Sequence, residues 1–491
     1  FQKMLFDLLL VVVGLLSVLY LYLKWEDNHF SARGVKSPPT YVPFVGHMMD
    51  ILRGKEHFRD WIVRMYNFIR QFLTPLVMIK DLDLIKQVAI KDFDHFTDHL
   101  GLVDETNDPL FANNLFALKG QKWRDMRATM SPAFTSAKMR GMFDFVAECR
   151  LSSCLPGRRG LVEVEMKDAF TRYTNDVIAT TAFGLRVDSL KDRDNEFYKM
   201  GKQATDFSGG QLIKFFLLFS APKLMKESVQ KFFRSLVADT MAGREKNNIV
   251  RNDMIQILMD AKKGVLKHED ANGWTDDELT AQAVLFFIAG FDTSSTLLCF
   301  LAHELTLHPE IQQRLQEEID EVSSNSKGKL NYNDLQGMKY MDMVISETLR
   351  YWPPAVSIDR RCVKAYTLPP PNKDSTQTFQ LQYGEGILFP IYGIHHDPRY
   401  FKDPETFDPE RFSDENKGDI KPLSFVPFGI GPRNCIGSRF ALMEAKSVIY
   451  HLLRNFDFVK IPRTQDPLQL KIDTFNMHAR NGFWIGLKPR K

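Results

Sequence analysis

The stretch from Phe428 to Gly437, FGIGPRNCIG, crowds three glycines, a proline, an arginine and a cysteine directly ahead of an amphipathic run. In that run Phe440, Met443, Ile449 and Leu452 recur at helical spacing, which predicts that Cys435 sits at a helix N-terminus. Unpaired amides and the helix macrodipole favour an anion there. With Arg433 and Arg439 close by in sequence, thiolate is favoured over thiol. Gly429 and Gly431 admit backbone torsions and close approaches that a side chain would prevent. The segment is suited to holding a thiolate against something large and flat. A lone cysteine is most often a small buried hydrophobe. A nucleophile would need a neighbouring base, and no histidine lies in this stretch. A thiolate metal ligand fits better.

Other pairs could do chemistry beside it. In AGFDTS, Ala289 and Gly290 make room for a ligand beside a helix, while Thr293 and Asp292 offer a hydroxyl and a carboxylate for proton delivery. The plain alternative is a threonine bonded to its own helix carbonyl and an aspartate facing solvent. Glu347 and Arg350 stand three apart on one helix face. On a surface such a pair contributes only ~0.3–0.5 kcal/mol. Trp123 and Arg127, one helical turn apart, can present two donors to one carboxylate.

Phe428, Gly431, Arg433, Cys435 and Gly437 fit FxxGxRxCxG, and the chain resembles the haem-thiolate monooxygenases of the cytochrome P-450 family over essentially its whole length. It looks closest to insect microsomal members of the detoxifying clan, through AGFDTSS, the PERF segment and the ending GFWIGLKPR. The resemblance implies haem b with Cys435 as axial iron ligand and Phe428 in the ligand loop. It implies Trp123, Arg127, Arg433 and Arg360 as partners of the propionates, and Thr293 with Asp292 as the oxygen-activating pair. Arg411 would join Glu347 and Arg350 in a structural triad. The pocket would be lined from Asp108–Leu118, Phe286–Phe291, Pro354–Ile358 and the region of Met477. Lys122, Arg124, Lys138, Arg140 and Lys446 would form a basic face for an NADPH-dependent flavoprotein reductase, with cytochrome b5 as a second partner. The implied reaction inserts one atom of O2 into a lipophilic small molecule, a foreign compound such as an insecticide or plant product. Alternatives are a biosynthetic hydroxylase of hormones or fatty acids, a reductase-independent isomerase and a haem-binding sensor.

The elements that must position these groups are mostly helical. Thr275, a good N-cap with Glu278 three residues on, and Pro309 bracket one long helix that must run through the core. PEIQQRLQEEIDEV reads as a surface helix, and Gly386–Pro390 and FWIGLKP as strands of a minor sheet. The expected fold is mainly α with a minor β-sheet region (α+β), one catalytic domain over 49–491. Ahead of it, 1–24 reads as a membrane anchor and 25–48 as a proline-rich connector.

The 491 residues, 44% hydrophobic and 25% charged, are globular in composition, and a net charge of +3 gives no reason to expect nucleic acid. Five cysteines without CxxC spacing argue against a disulfide framework. Met4–Leu23 carries only Asp7 as a charge and is long enough to span a bilayer; Lys24, Arg33 and Lys36 follow it. The positive-inside rule then places the body in the cytosol, and the resemblance implies the endoplasmic reticulum as the membrane. The apolar cluster at 212–225 reads equally as core helix or as an element dipping into lipid. Two stretches depart from the family pattern, a shortening near Arg70 and Gln71 and the turn-rich 149–160.

Overall fold

The computed structural model describes residues 2–31, 49–66, 76–101, 105–106, 108–149, 160–205, 225–263, 273–327, 329–370, 378–472 and 476–490. The shortening near Arg70, the departure at 150–159, Cys154, residues 32–48 of the connector and all but Met225 of the 212–225 cluster lie outside them.

Helices referred to below are, in chain order, α1 (Gln2–Ser31), α2 (Pro109–Ala112), α3 (Gly120–Met130), α4 (Met166–Ile178), α5 (Glu227–Asn247), α6 (Asp276–Leu307), α7 (Pro309–Asn325), α8 (Lys339–Tyr351) and α9 (Ser438–Asn455). The strands are β1 (Leu76–Met78), β2 (Val162–Glu165), β3 (Ile358–Arg361), β4 (Tyr366–Leu368), β5 (Phe379–Leu381), β6 (Gly386–Phe389), β7 (Phe456–Val459) and β8 (Trp484–Pro489). They pair in the orders β1-β6-β3, β2-β8-β7 and β4-β5, so the fold is mainly α with small sheets, as expected.

The chain divides into two units, Phe1–Leu100 with Ser357–Pro390, and Gly101–Val356 with Ile391–Lys491. In the first, β6 pairs parallel with β1 and antiparallel with β3. Gly386 permits the β1 pairing, because a Cβ there would come within 2.2 Å of the Leu76 side chain. The same unit holds α1, which continues past Lys24 to Ser31. Its Phe6, Leu9, Leu10, Val11, Leu15, Leu16 and Leu21 are exposed.

The second unit is built around α6. A reciprocal cap between Thr275 and Glu278, with acids in the first turn, starts this helix, and it ends at Leu307 before the His308 cap. Among the described residues it is the helix long and apolar enough to cross a membrane, but 67% of its most apolar window is buried inside the protein. α6 packs along α4. Gly290 lets them meet, since a Cβ at 290 would lie 2.8 Å from Ile178 Cδ1, and Thr174 Oγ1 donates to Phe291 O at 2.9 Å. Phe287 and Phe291, which the sequence reads equally as pocket wall or plain core, are fully buried; their rings lie 5.1 Å apart, and Phe287 also meets Phe197 and Phe233. Apolar burial on this inner side wins them for the core.

Candidate active site

The scaffold under the cysteine loop starts at α8. Arg350 binds both carboxylate oxygens of Glu347 at 2.7 Å, and both side chains are fully buried. Burial pushes the Glu347 carboxyl upward, opposed by Arg350, the Asp408 amide and Arg411, whose Nε lies 3.5 Å away. Arg350 also donates to the carbonyls of His395, Pro404 and Thr406. His395 carries the connection onward: its Nε2 accepts the Val426 amide at 3.0 Å. Two residues later the Phe428 carbonyl accepts the Cys435 amide at 2.7 Å, closing the loop. Gly429 and Gly431 adopt φ of +83° and +68°, which only glycine takes without strain.

Cys435 does not sit in the first turn of α9. The helix starts at Ser438 with Gly437 as cap, so the sulfur is reached by one amide, that of Gly437. Crowding of the chain raises the thiol above its ordinary value, against the Gly437 amide and the Arg127 charge. Cys435 is itself exposed, so its sulfur is open to a metal ion, which would favour the thiolate.

Beside the loop stand three of the expected residues. Arg127 donates to Asn434 O at 2.8 Å and to its Oδ1 at 2.9 Å. Arg433 lies 4.1 Å over the buried Trp123 ring and donates to the carbonyls of Leu115, Phe116 and Leu118. Arg439 is exposed on α9. Arg360 belongs to the other unit, on β3, where burial lowers its pKa to about 10.

On α6, Ala289 and Thr293 are exposed one turn apart although the helix is buried on either side. The Thr293 hydroxyl donates to Ala289 O, the plain alternative to a free proton donor. Asp292 accepts from Lys167 Nζ at 2.8 Å and from Asn476 Nδ2 at 2.5 Å, with His478 Nε2 at 4.0 Å. Burial pushes the Asp292 carboxyl up, but Lys167, His478 and Asn476 together hold it below the usual carboxylate range. Of the basic residues, Lys446 is buried and paired with Asp342 at 2.6 Å, so it forms no part of a docking face. Lys122 pairs with Glu278 at 2.5 Å.

His395, Lys167 and Gln282 were not legible as site residues. Each acts through a contact more than a hundred residues away or through main-chain atoms, and no local pattern marks either.

A soft sulfur donor on a glycine loop, with two guanidinium groups and an indole gathered beside it, fits an iron porphyrin and its carboxylates. A mainly helical chain with that donor set falls in the haem-thiolate class. A family model described as Cytochrome P450 matches residues 37–485. Cytochrome P450 9e2 of Blattella germanica is 45% identical, with 96% of each chain covered. Probable cytochrome P450 9f2 of Drosophila melanogaster is 42% identical over 96% of this chain and 97% of its own, and cytochrome P450 9b2 of the same species is 42% identical over 99% of each. The chain belongs to the cytochrome P450 family. It is a haem-thiolate monooxygenase, and membership brings haem, O2, lipophilic substrates and a redox partner.

Proposed function

We propose that this enzyme is anchored in the endoplasmic reticulum membrane and oxidises lipophilic foreign compounds with electrons from NADPH, passed through a flavoprotein reductase and assisted by cytochrome b5. The observation that carries the reading is the presentation of Cys435 on a glycine loop tied through His395 to the buried Glu347–Arg350 pair. The exposed apolar face of α1 supports the anchor. Residues 1–24 serve as that anchor, 25–48 as the connector and 49–491 as the catalytic body.

Haem supplies the iron at which O2 is reduced and cleaved. Cys435 would supply the sulfur ligand to the iron, and Trp123, Arg127 and Arg433 would carry the cationic and donor groups for the propionates. Phe428 holds the loop closed through its carbonyl. Thr293, on the exposed face of α6, would turn its hydroxyl away from Ala289 O to hand on a proton. Asp292, kept ionised by Lys167, would first take up a proton from water and then pass it on to reprotonate that hydroxyl.

Two measurements test this. Cys435→Ala should lose the red-shifted Soret band that an axial thiolate gives the reduced carbon monoxide complex. A variant that keeps the band with full haem overturns the ligand assignment. Reconstitution with reductase and NADPH against insecticides, plant compounds, steroids and fatty acids then reads the substrate class. Turnover confined to the steroids or fatty acids rejects the detoxifying role.

A further inference from the structure

Resting on the haem-thiolate reading, we infer that Gln282 and Asp108 are positioning residues that set which ligand sizes the site accepts. They act by holding residues 108–118 as a fixed wall. Gln282, Ala289 and Thr293 stand at i, i+7 and i+11 on α6, which places them on one face. Gln282 is fully buried, and both ends of its amide are used on the loop: Oε1 accepts the Leu115 amide at 2.8 Å and Nε2 donates to Asn113 O at 2.7 Å. Nε2 also donates to Glu278 O within its own helix, at 2.8 Å.

The carbonyl side of the same stretch is held by Arg433, two residues before Cys435, at Leu115, Phe116 and Leu118. The loop is thereby clamped between the cysteine segment and the α6 face that exposes Ala289 and Thr293. Its Phe116 side chain is half exposed.

Asp108 fixes the other end. It is fully buried and caps α2 through the Phe111 amide at 3.2 Å. It also accepts the Met225 amide at 2.8 Å and Gln230 Nε2 of α5 at 3.2 Å. One carboxylate thus joins the start of the wall to α5 and to Met225, two residues ahead of that helix. An unmet partner in this buried network would leave a desolvated polar group, so the wall moves little while the network is whole.

The test uses the haem-loaded enzyme and azoles that bind iron directly, imidazole and the bulky N-trityl imidazole, with dissociation constants read from binding spectra. In Gln282→Leu, which keeps the volume and loses both loop bonds, imidazole should bind within about twofold of wild type. The N-trityl imidazole should bind about tenfold more tightly. Gln230→Leu, which removes one donor to Asp108 and leaves its cap intact, should shift the same ratio in the same direction and less. An unchanged ratio in both variants, with a normal carbon monoxide spectrum, overturns the inference. Hydrogen exchange on wild-type protein tests it without any variant: the Leu115 amide should be protected, and exchange at open-loop rates also overturns it. Wild-type protein without a thiolate-type carbon monoxide band would instead reject the reading beneath.

Discussion

Arg350 and His395 bond each other in both directions. Arg350 Nη1 donates to His395 O at 3.0 Å, and His395 Nδ1 donates to Arg350 O at 3.2 Å. The other ring nitrogen accepts Val426, so the imidazole is neutral, and burial pulls its pKa down to about 3. Because the unfolded chain takes up this proton near pH ~6.5 and the folded chain does not, the contribution of His395 is full above that value and is lost as pH falls. His395→Gln should be less stable than wild type by about 1–3 kcal/mol near neutrality. The gap should shrink by up to about 1.4 kcal/mol per pH unit below ~6.5. Urea unfolding at about pH 7.5 and about pH 5.5 checks this, and a constant gap would refute the neutral ring.

Removing Arg350 leaves the Glu347 charge buried with only Arg411, its Nε 3.5 Å away, as a cation beside it. Arg350→Ala should cost about 3–5 kcal/mol and abolish haem retention. Arg350→Lys should fail to rescue it, because a point charge cannot fork to Glu347 and reach three carbonyls. Wild-type haem content in the lysine variant would contradict the argument.

Lys167 is the first of the groups that together outweigh burial at Asp292, ahead of His478 and Asn476. In Lys167→Met the carboxyl should rise above its ordinary value, and the acid limb of the coupling profile, product formed per NADPH, should move to higher pH. Lys167→Arg should restore the limb. An unmoved limb in the methionine variant would remove Asp292 from proton delivery.

Glu444, on α9, is fully buried, and burial lifts its carboxyl to about 8. The folded chain keeps a proton that the unfolded chain loses above ~4.5, so stability from this group declines as pH rises from there to about 8. Glu444→Gln should therefore gain on wild type across that window, by up to about 1.4 kcal/mol per pH unit. Thermal unfolding at about pH 5 and about pH 8 measures the change, and parallel curves would show a carboxylate ionised throughout.

What could be read from the sequence were elements fixed by local rules. Thr275 and Glu278 announced the start of α6 because a capping box is a contact between near neighbours. The pairing of Glu347 with Arg350 is set by helical spacing. The fates of Phe287 and Phe291 were not legible, since whether an aromatic residue faces ligand or core depends on what α4 and α5 bring against it. The start of α9 was misplaced for a related reason. The run of apolar residues located α9 but not its first residue, and the sulfur sees only the Gly437 amide.

The bonds that fix residues 113–118 to Gln282 and Arg433 all end on main-chain atoms: Asn113 O, Leu115 N and O, Phe116 O and Leu118 O. The clamp is therefore indifferent to the side chains it carries. Selection can exchange Phe116 or Ala117 in a single step without loosening the frame, whereas a change at Gln282 disturbs every position of the wall at once. Change in ligand preference is thus expected to accumulate in the loop and to leave its fastening points alone.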